Sequence, residues 1–183
     1  YTLYKALTAA KLAHQLNGSG IRAVPVFWMA TEDHDFQEID HCHVYGRRRR
    51  PVRLSAAGSG KAGQPVGSVV ASEPPVEMLR QALDGLLYAD EVTSLIEDAY
   101  PPGITFGAGF QRLLERLLAG FGFVFADPMA EGFRALAEPL LRQAALGSTE
   151  LSAALAERGR ELNEAGYHAQ VHFDDSASLF FLM

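Results

Sequence analysis

Apolar and polar positions along this chain change period several times, and each change marks an element. From Leu3, the apolar residues Leu7 and Ala10 recur at helical spacing and His14 falls on the same face, which predicts a helix with His14 as a core or boundary residue. Tyr1, Lys5 and Thr8 lie on its opposite side, and Asn17 and Gly18 of "NGSG" supply the chemistry that ends it. The run Val24 to Met29 is apolar at odd and even positions alike, as in a strand covered on both faces. Asp35 and Glu38 have capping-box-like spacing and predict a short helix from about Asp35. "HCHVYG" and "PVRLSAAGSGKAGQPVGSVV" predict short strands with glycine-rich turns, a small β insertion over about residues 44–72.

After Pro74-Pro75, "PVEMLRQALDGLLYADEVTSLIEDAY" reads as helical. Beyond Pro101-Pro102-Gly103, Phe110, Leu113, Leu114, Leu117, Leu118 and Phe121 form one face of an amphipathic helix that ends near Gly120 and Gly122. "FVFADP" is a second buried strand, stopped by Asp127-Pro128, and two helices follow over Glu131 to Leu146 and Glu150 to Ala165. "YHAQVHF" and "SLFFLM" close the chain as strands. Helices alternating with apolar strands imply the α/β class: one domain over residues 1–183, a Rossmann-like, mostly parallel sheet with the β-rich insertion.

Composition narrows the class. With 48% apolar residues, 183 residues suffice for one sizeable core. A formal charge of −6 argues against an extended nucleic-acid or membrane surface, leaving the arginines of "RRRRPVR" as a local block, most simply a solvated edge strand. Nothing approaches the roughly 18 continuous apolar residues of a membrane span. The single cysteine, Cys42, excludes an internal disulfide framework and fits a reducing compartment, so the cytoplasm is expected; Cys42 itself reads as a small buried hydrophobe. The chain opens at Tyr1 rather than methionine and reads as a piece of something longer.

The chemistry gathers where the first strand ends. In "VPVFWMATEDHDFQEI" the apolar run stops in Thr31, Glu32, Asp33, His34 and Asp35, and ligands of open α/β sheets sit beyond the carboxyl ends of strands. His34 is suited to general acid or base work near neutral pH, with Asp33 or Asp35 orienting it. The structural alternative makes Asp35 a helix cap, with Glu32 and Asp33 as solvated first-turn acids. On a strand, His41 and His43 would share a face, yet "HCHVYG" lacks the paired spacing of a strong metal motif, and no metal is assigned. Asp127 ends the second strand, and His168, Gln170 and His172 form a polar row on the penultimate one.

Taken in order, "YTLYKALTAAKLA", "PVFWMATEDHDFQEIDH", "PVGSVV", "FGFVFADP" and "AGYHAQVHFDDSASLFFL" resemble the bacillithiol biosynthesis cysteine-adding enzymes, the cysteine ligases of that pathway, nearly end to end. The resemblance implies a cytoplasmic enzyme that joins L-cysteine, through its carboxyl group, to the amine of glucosaminyl malate. It implies a Rossmann-type core and a homodimer formed through a helical coiled coil. That coiled coil, and the family's glycine- and glutamine-containing loop before "YTLYK", are not among these 183 residues. Such a condensation needs an activated carboxylate, with ATP as the candidate activator, and a base for the amine proton. His34 is the expected base, helped by Asp33 or Asp35. Thr2 and Lys5, in the first turns of the first helix, are expected to face anionic groups; Thr31, Glu32, Asp127 and Gln170 are further expected binding residues. Two rivals stand beside this reading: a metal-dependent hydrolase using Asp33, His34, Asp35, His41 and His43, and a non-catalytic nucleotide- or metabolite-binding module.

Overall fold

A computed structural model describes residues 1–169 apart from 48, 59, 60 and 62. The chain divides into two compact units, Tyr1–Ala130 and a second beginning at Glu131. In the first, α1 (Thr2–Gly18) buries Ala6, Ala10 and Ala13, not the leucines. Leu3, Leu7 and His14 are exposed, which corrects the expected core face. The two stripes share Ala10, and periodicity judged by side-chain size favours the leucine stripe. The alanine stripe wins because small side chains let a helix backbone lie close to its neighbours. Ala6 packs with Met29, Leu114 and Leu118, and the phenylalanines Phe27, Phe110, Phe123 and Phe125 surround them.

The expected parallel pairing is present. Strand β1 (Val26–Trp28) lies parallel to β6 (Val124–Ala126), with Phe27 opposite Phe125. Their rings sit 5.9 Å apart, and Phe27 meets Phe110, on the helix that precedes β6, edge-on at 6.1 Å. Val24, Val26 and Trp28 are more than half exposed, so among the described residues β1 is covered on one face only, not two. The strands expected of "YHAQVHF" and "SLFFLM" run into residues 170–183, so those expectations, with Gln170 and His172, lie outside the described residues.

The β-rich insertion begins at His41 rather than 44. Strands β2 (His41–Tyr45) and β3 (Pro51–Ser55) form an antiparallel hairpin, and β4 (Ala57–Gly58) pairs with β5 (Ala71–Glu73). Arg47, Arg49 and Arg50 belong to the turn between β2 and β3, not to an edge strand, and Arg49 has a positive φ of 52°. Cys42 is exposed rather than buried: it lines the open cavity under the hairpin, where no side chain among the described residues packs over it as over its partner Leu54.

What reads as one long helix after Pro75 is two, α2 (Val76–Leu83) and α3 (Ala89–Ala99). Between them Gly85 and Tyr88 both take left-handed backbone conformations, φ 68° and 64°, which no helix accommodates. Arg80 bridges Glu77 of its own helix at 2.7 Å and Glu97 of α3 at 2.5 Å; all three are exposed, so the pairs add little stability. Helix α4 (Phe106–Leu117) opens with Thr105 as N-cap, its hydroxyl accepting the Ala108 N–H at 3.3 Å. Leu114 and Leu118 of its expected apolar face are buried, whereas Leu117 and Phe121 are exposed. In the second unit α5 (Glu131–Leu146) packs with α6 (Ser148–Glu164), close to the expected bounds, and α5 carries Pro139.

Candidate functional site

The carboxyl ends of β1 and β6 meet, as a parallel pair requires, and the chain leaves both abruptly. Past β1, Ala30 takes a positive φ of 39°, a costly conformation for a residue with a Cβ, and turns the chain so that Thr31 points inward. Thr31 is buried, and its hydroxyl donates a short hydrogen bond to Asp127 Oδ1 at the end of β6. The same oxygen accepts the Met129 N–H at 2.9 Å, so Asp127 closes its own turn as well.

Two glycines make room for Thr31. A Cβ on Gly67 would stand 2.5 Å from Thr31 Cβ; one on Gly107 would stand 2.9 Å from the Gly67 carbonyl oxygen and 3.1 Å from Thr31 Cγ2. The Gly67 N–H donates to the Thr31 carbonyl at 3.0 Å, and Val66 N–H to the Asp33 carbonyl at 2.6 Å. The segment around "PVGSVV" thereby clamps the turn against the first helical turn of α4. The motif was visible in the sequence; the packing reason for its glycine was not, since nothing local requires it.

The acidic turn itself is arranged differently from the capping-box expectation. Residues Phe36–Glu38 form a single 3₁₀ turn, and Asp35, at its N-cap position, makes no side-chain capping bond. Asp33 does this work: its Oδ1 accepts the backbone N–H groups of His34 at 2.6 Å and Asp35 at 3.1 Å. Phe36 anchors the turn edge-on against Phe106 of α4, ring centroids 5.5 Å apart. Glu32, Asp33, His34 and Asp35 are all exposed, and among the described residues the His34 ring makes no hydrogen bond. Thr31 and Asp127 are thus brought together, with the acidic turn following directly. Thr2 and Lys5 lie at the N-terminus of α1, exposed, Lys5 Nζ 4.5 Å above the Tyr1 ring; no hydrogen bond or ion pair among the described residues joins them to the turn.

Beneath the hairpin opens a cavity of about 550 Å³, shared by β2, β3, α2, α3 and α4 and overwhelmingly apolar. Thr31 forms part of its wall, so it adjoins the strand ends. Besides Thr31, its few polar groups are Asp40, His41, Cys42 and Tyr100. Asp40 Oδ1 lies 2.5 Å from His41 Nδ1, both side chains about two-thirds buried. Burial raises the Tyr100 phenol to about 12. The His41 and His43 rings meet edge-on at 5.6 Å, sharing a strand face as expected. No three of the described His, Cys, Asp and Glu residues converge as metal ligands, so the ligand set required by the metal-dependent hydrolase is not assembled among them. Asp40 and Tyr100 carried no sequence signal: adjacent residues on a strand point apart, and only because Asp40 precedes β2 does its side chain reach its neighbour.

Comparison with known proteins agrees with the Rossmann-like fold. The model of the family described as "Bacillithiol biosynthesis BshC, N-terminal Rossmann-like domain" matches residues 1–183. Three relatives carry the name "Putative cysteine ligase BshC". That of Solibacter usitatus is 48% identical over 183 residues, 100% of this chain and 35% of the relative. That of Koribacter versatilis is 38% identical, over 97% of this chain and 33% of the relative. That of Staphylococcus carnosus is 26% identical, over 98% and 35%. The chain thus spans about a third of the length of these curated relatives.

Proposed function

The chain belongs to the bacillithiol biosynthesis BshC family, as its N-terminal Rossmann-like domain, and from that premise we propose that the full-length protein is a cysteine ligase of bacillithiol biosynthesis. It joins the carboxyl group of L-cysteine to the amine of glucosaminyl malate in the cytoplasm, as a homodimer. The observation that supports this reading is the convergence of the β1 and β6 carboxyl ends, where Thr31 and Asp127 are bonded and four exposed residues, Glu32 to Asp35, follow at once.

A free carboxylate and an amine do not condense in water unaided, so ATP activates the cysteine carboxylate as an acyl-adenylate or acyl phosphate. The exposed acids, Asp35 and Glu32 foremost, hold the substrate ammonium, and His34 contacts the same polar groups. Asp33 contributes charge while its Oδ1 keeps the turn in shape. Thr2 and Lys5 face phosphate or carboxylate from the start of α1. Lys5 is restrained there by one exposed cation–π contact, of the order of 0.5–1 kcal/mol, which an anionic ligand readily displaces. Gln170 is proposed as a further binding residue. The amine, once neutral, attacks the activated carbonyl, and a histidine of the "TEDHDFQEIDH" block takes the proton.

Titration calorimetry of the full-length protein with glucosaminyl malate, cysteine and ATP tests this, repeated on Asp33→Asn and His34→Ala. Asparagine retains an acceptor oxygen for the two backbone N–H groups, so Asp33→Asn removes charge while sparing the turn. Weaker glucosaminyl malate or cysteine binding in either variant is expected. Wild-type protein that binds none of the three ligands would sink the ligase reading.

A further inference from the structure

We propose that His41 is the base that takes the amine proton, that Asp40 is its positioning residue, and that His34 serves binding rather than proton transfer. The proposal rests on the ligase reading above and deepens it. A histidine base needs a fixed tautomer, and a carboxylate on one ring nitrogen supplies it. Of the two histidines, His41 has that partner: Asp40 Oδ1 is 2.5 Å from its Nδ1, which makes Nδ1 the N–H donor and leaves Nε2 with the lone pair. Among the described residues His34 has none: Asp33 Oδ1 is bonded to backbone N–H groups, and Asp35 makes no side-chain capping bond.

Surroundings point the same way. His41 stands at the wall of the apolar cavity, whereas His34 is exposed. An activated acyl group is destroyed by water, so amine attack is best sheltered where apolar walls exclude it. About 550 Å³ accommodates the small cysteinyl group together with the reacting end of the acceptor, and Thr31 connects the cavity to the strand ends. Around His41 the other titratable groups among the described residues are Asp40, the edge-on His43 ring, the Cys42 thiol and the Tyr100 phenol, with Arg53 cross-strand from His43. Tyr100 keeps its proton to about 12 and is no rival base near neutral pH.

In the step itself the acceptor nitrogen bonds to the carbonyl carbon of the activated cysteine. The carbon–oxygen bond to the phosphate group derived from ATP breaks, and the leaving group departs with the electron pair. The proton lost by nitrogen passes to His41 Nε2, and Asp40 stabilises the resulting imidazolium.

The test uses the full-length enzyme with cysteine, glucosaminyl malate and ATP. His41→Gln is expected to lower kcat by about 10²–10⁴-fold with little change in KM. Asp40→Asn is expected to cost less in kcat and to release the His41 ring from a single Nδ1–H tautomer in ¹⁵N NMR, because the carboxylate that fixes Nδ1 as the donor is gone. His34→Gln is expected to raise KM while kcat stays within about tenfold. ¹⁵N NMR of the wild-type imidazole, which needs neither turnover nor a folded variant, is expected to show the Nδ1–H tautomer at His41. A His41→Gln enzyme with wild-type kcat and an unchanged acidic limb of the kcat/KM profile, or an Nε2–H tautomer, would overturn the assignment while leaving the ligase reading intact. A wild-type enzyme that forms no amide would overturn the ligase reading, and the base assignment with it.

Discussion

At the scale of single residues the site depends on one buried threonine. Thr31→Val preserves shape but removes the hydroxyl donor to Asp127, leaving its Oδ1 with the Met129 N–H alone, and is expected to cost about 1–3 kcal/mol in urea denaturation. Gly107→Ala drives a methyl group into the Gly67 backbone, which has no rotamer with which to retreat, for about 1–3 kcal/mol by the same measurement. Tyr100 sets the alkaline behaviour. The folded chain holds its proton to about 12, whereas an unfolded chain releases it near 10, so between those values the folded state binds more protons. Its stability is therefore full below about pH 10 and falls towards 12, by up to about 2–3 kcal/mol, and Tyr100→Phe should flatten that decline in a pH series of denaturation curves.

At the scale of elements, local chemistry was legible and long-range packing was not. The parallel apolar strands, the helix over Phe110 to Leu118 and the pair of helices after Ala130 follow from periodicity and from Gly and Pro punctuation. The strand-end location of Thr31 and Asp127 followed from the same pattern. What misled was size: leucines outweighed alanines in α1, though alanines permit the closer approach. The single helix expected after Pro75 failed at Asp84–Tyr88, where Gly85 gave a signal but the left-handed Tyr88 gave none, tyrosine being ill-suited to that conformation. Tyr88→Gly relieves that strain at the cost of unfolded-state freedom, so a change within about 1 kcal/mol of wild type is expected. Thr105→Ala, which removes the hydroxyl cap of α4, is expected to cost about 1 kcal/mol, read as a lower thermal midpoint.

For the whole molecule, the first unit already holds both strand ends, the acidic turn and the cavity. The connection between them is long: Thr31 and Asp127 are 96 positions apart in sequence. Closing such a loop costs about 2–3 kcal/mol more than closing a hairpin turn of a few residues. The β2–β3 hairpin and the α2–α4 helices therefore organise first on a refolding chain, and β1 and β6 meet late. Thr31→Val should accordingly speed unfolding while leaving the refolding rate nearly unchanged in stopped-flow measurements. On the ribosome the same geometry sets a sequence of events: the half-site ending in Thr31 emerges nearly a hundred residues before its partner, and the nascent chain has no assembled site until Asp127 has left the exit tunnel.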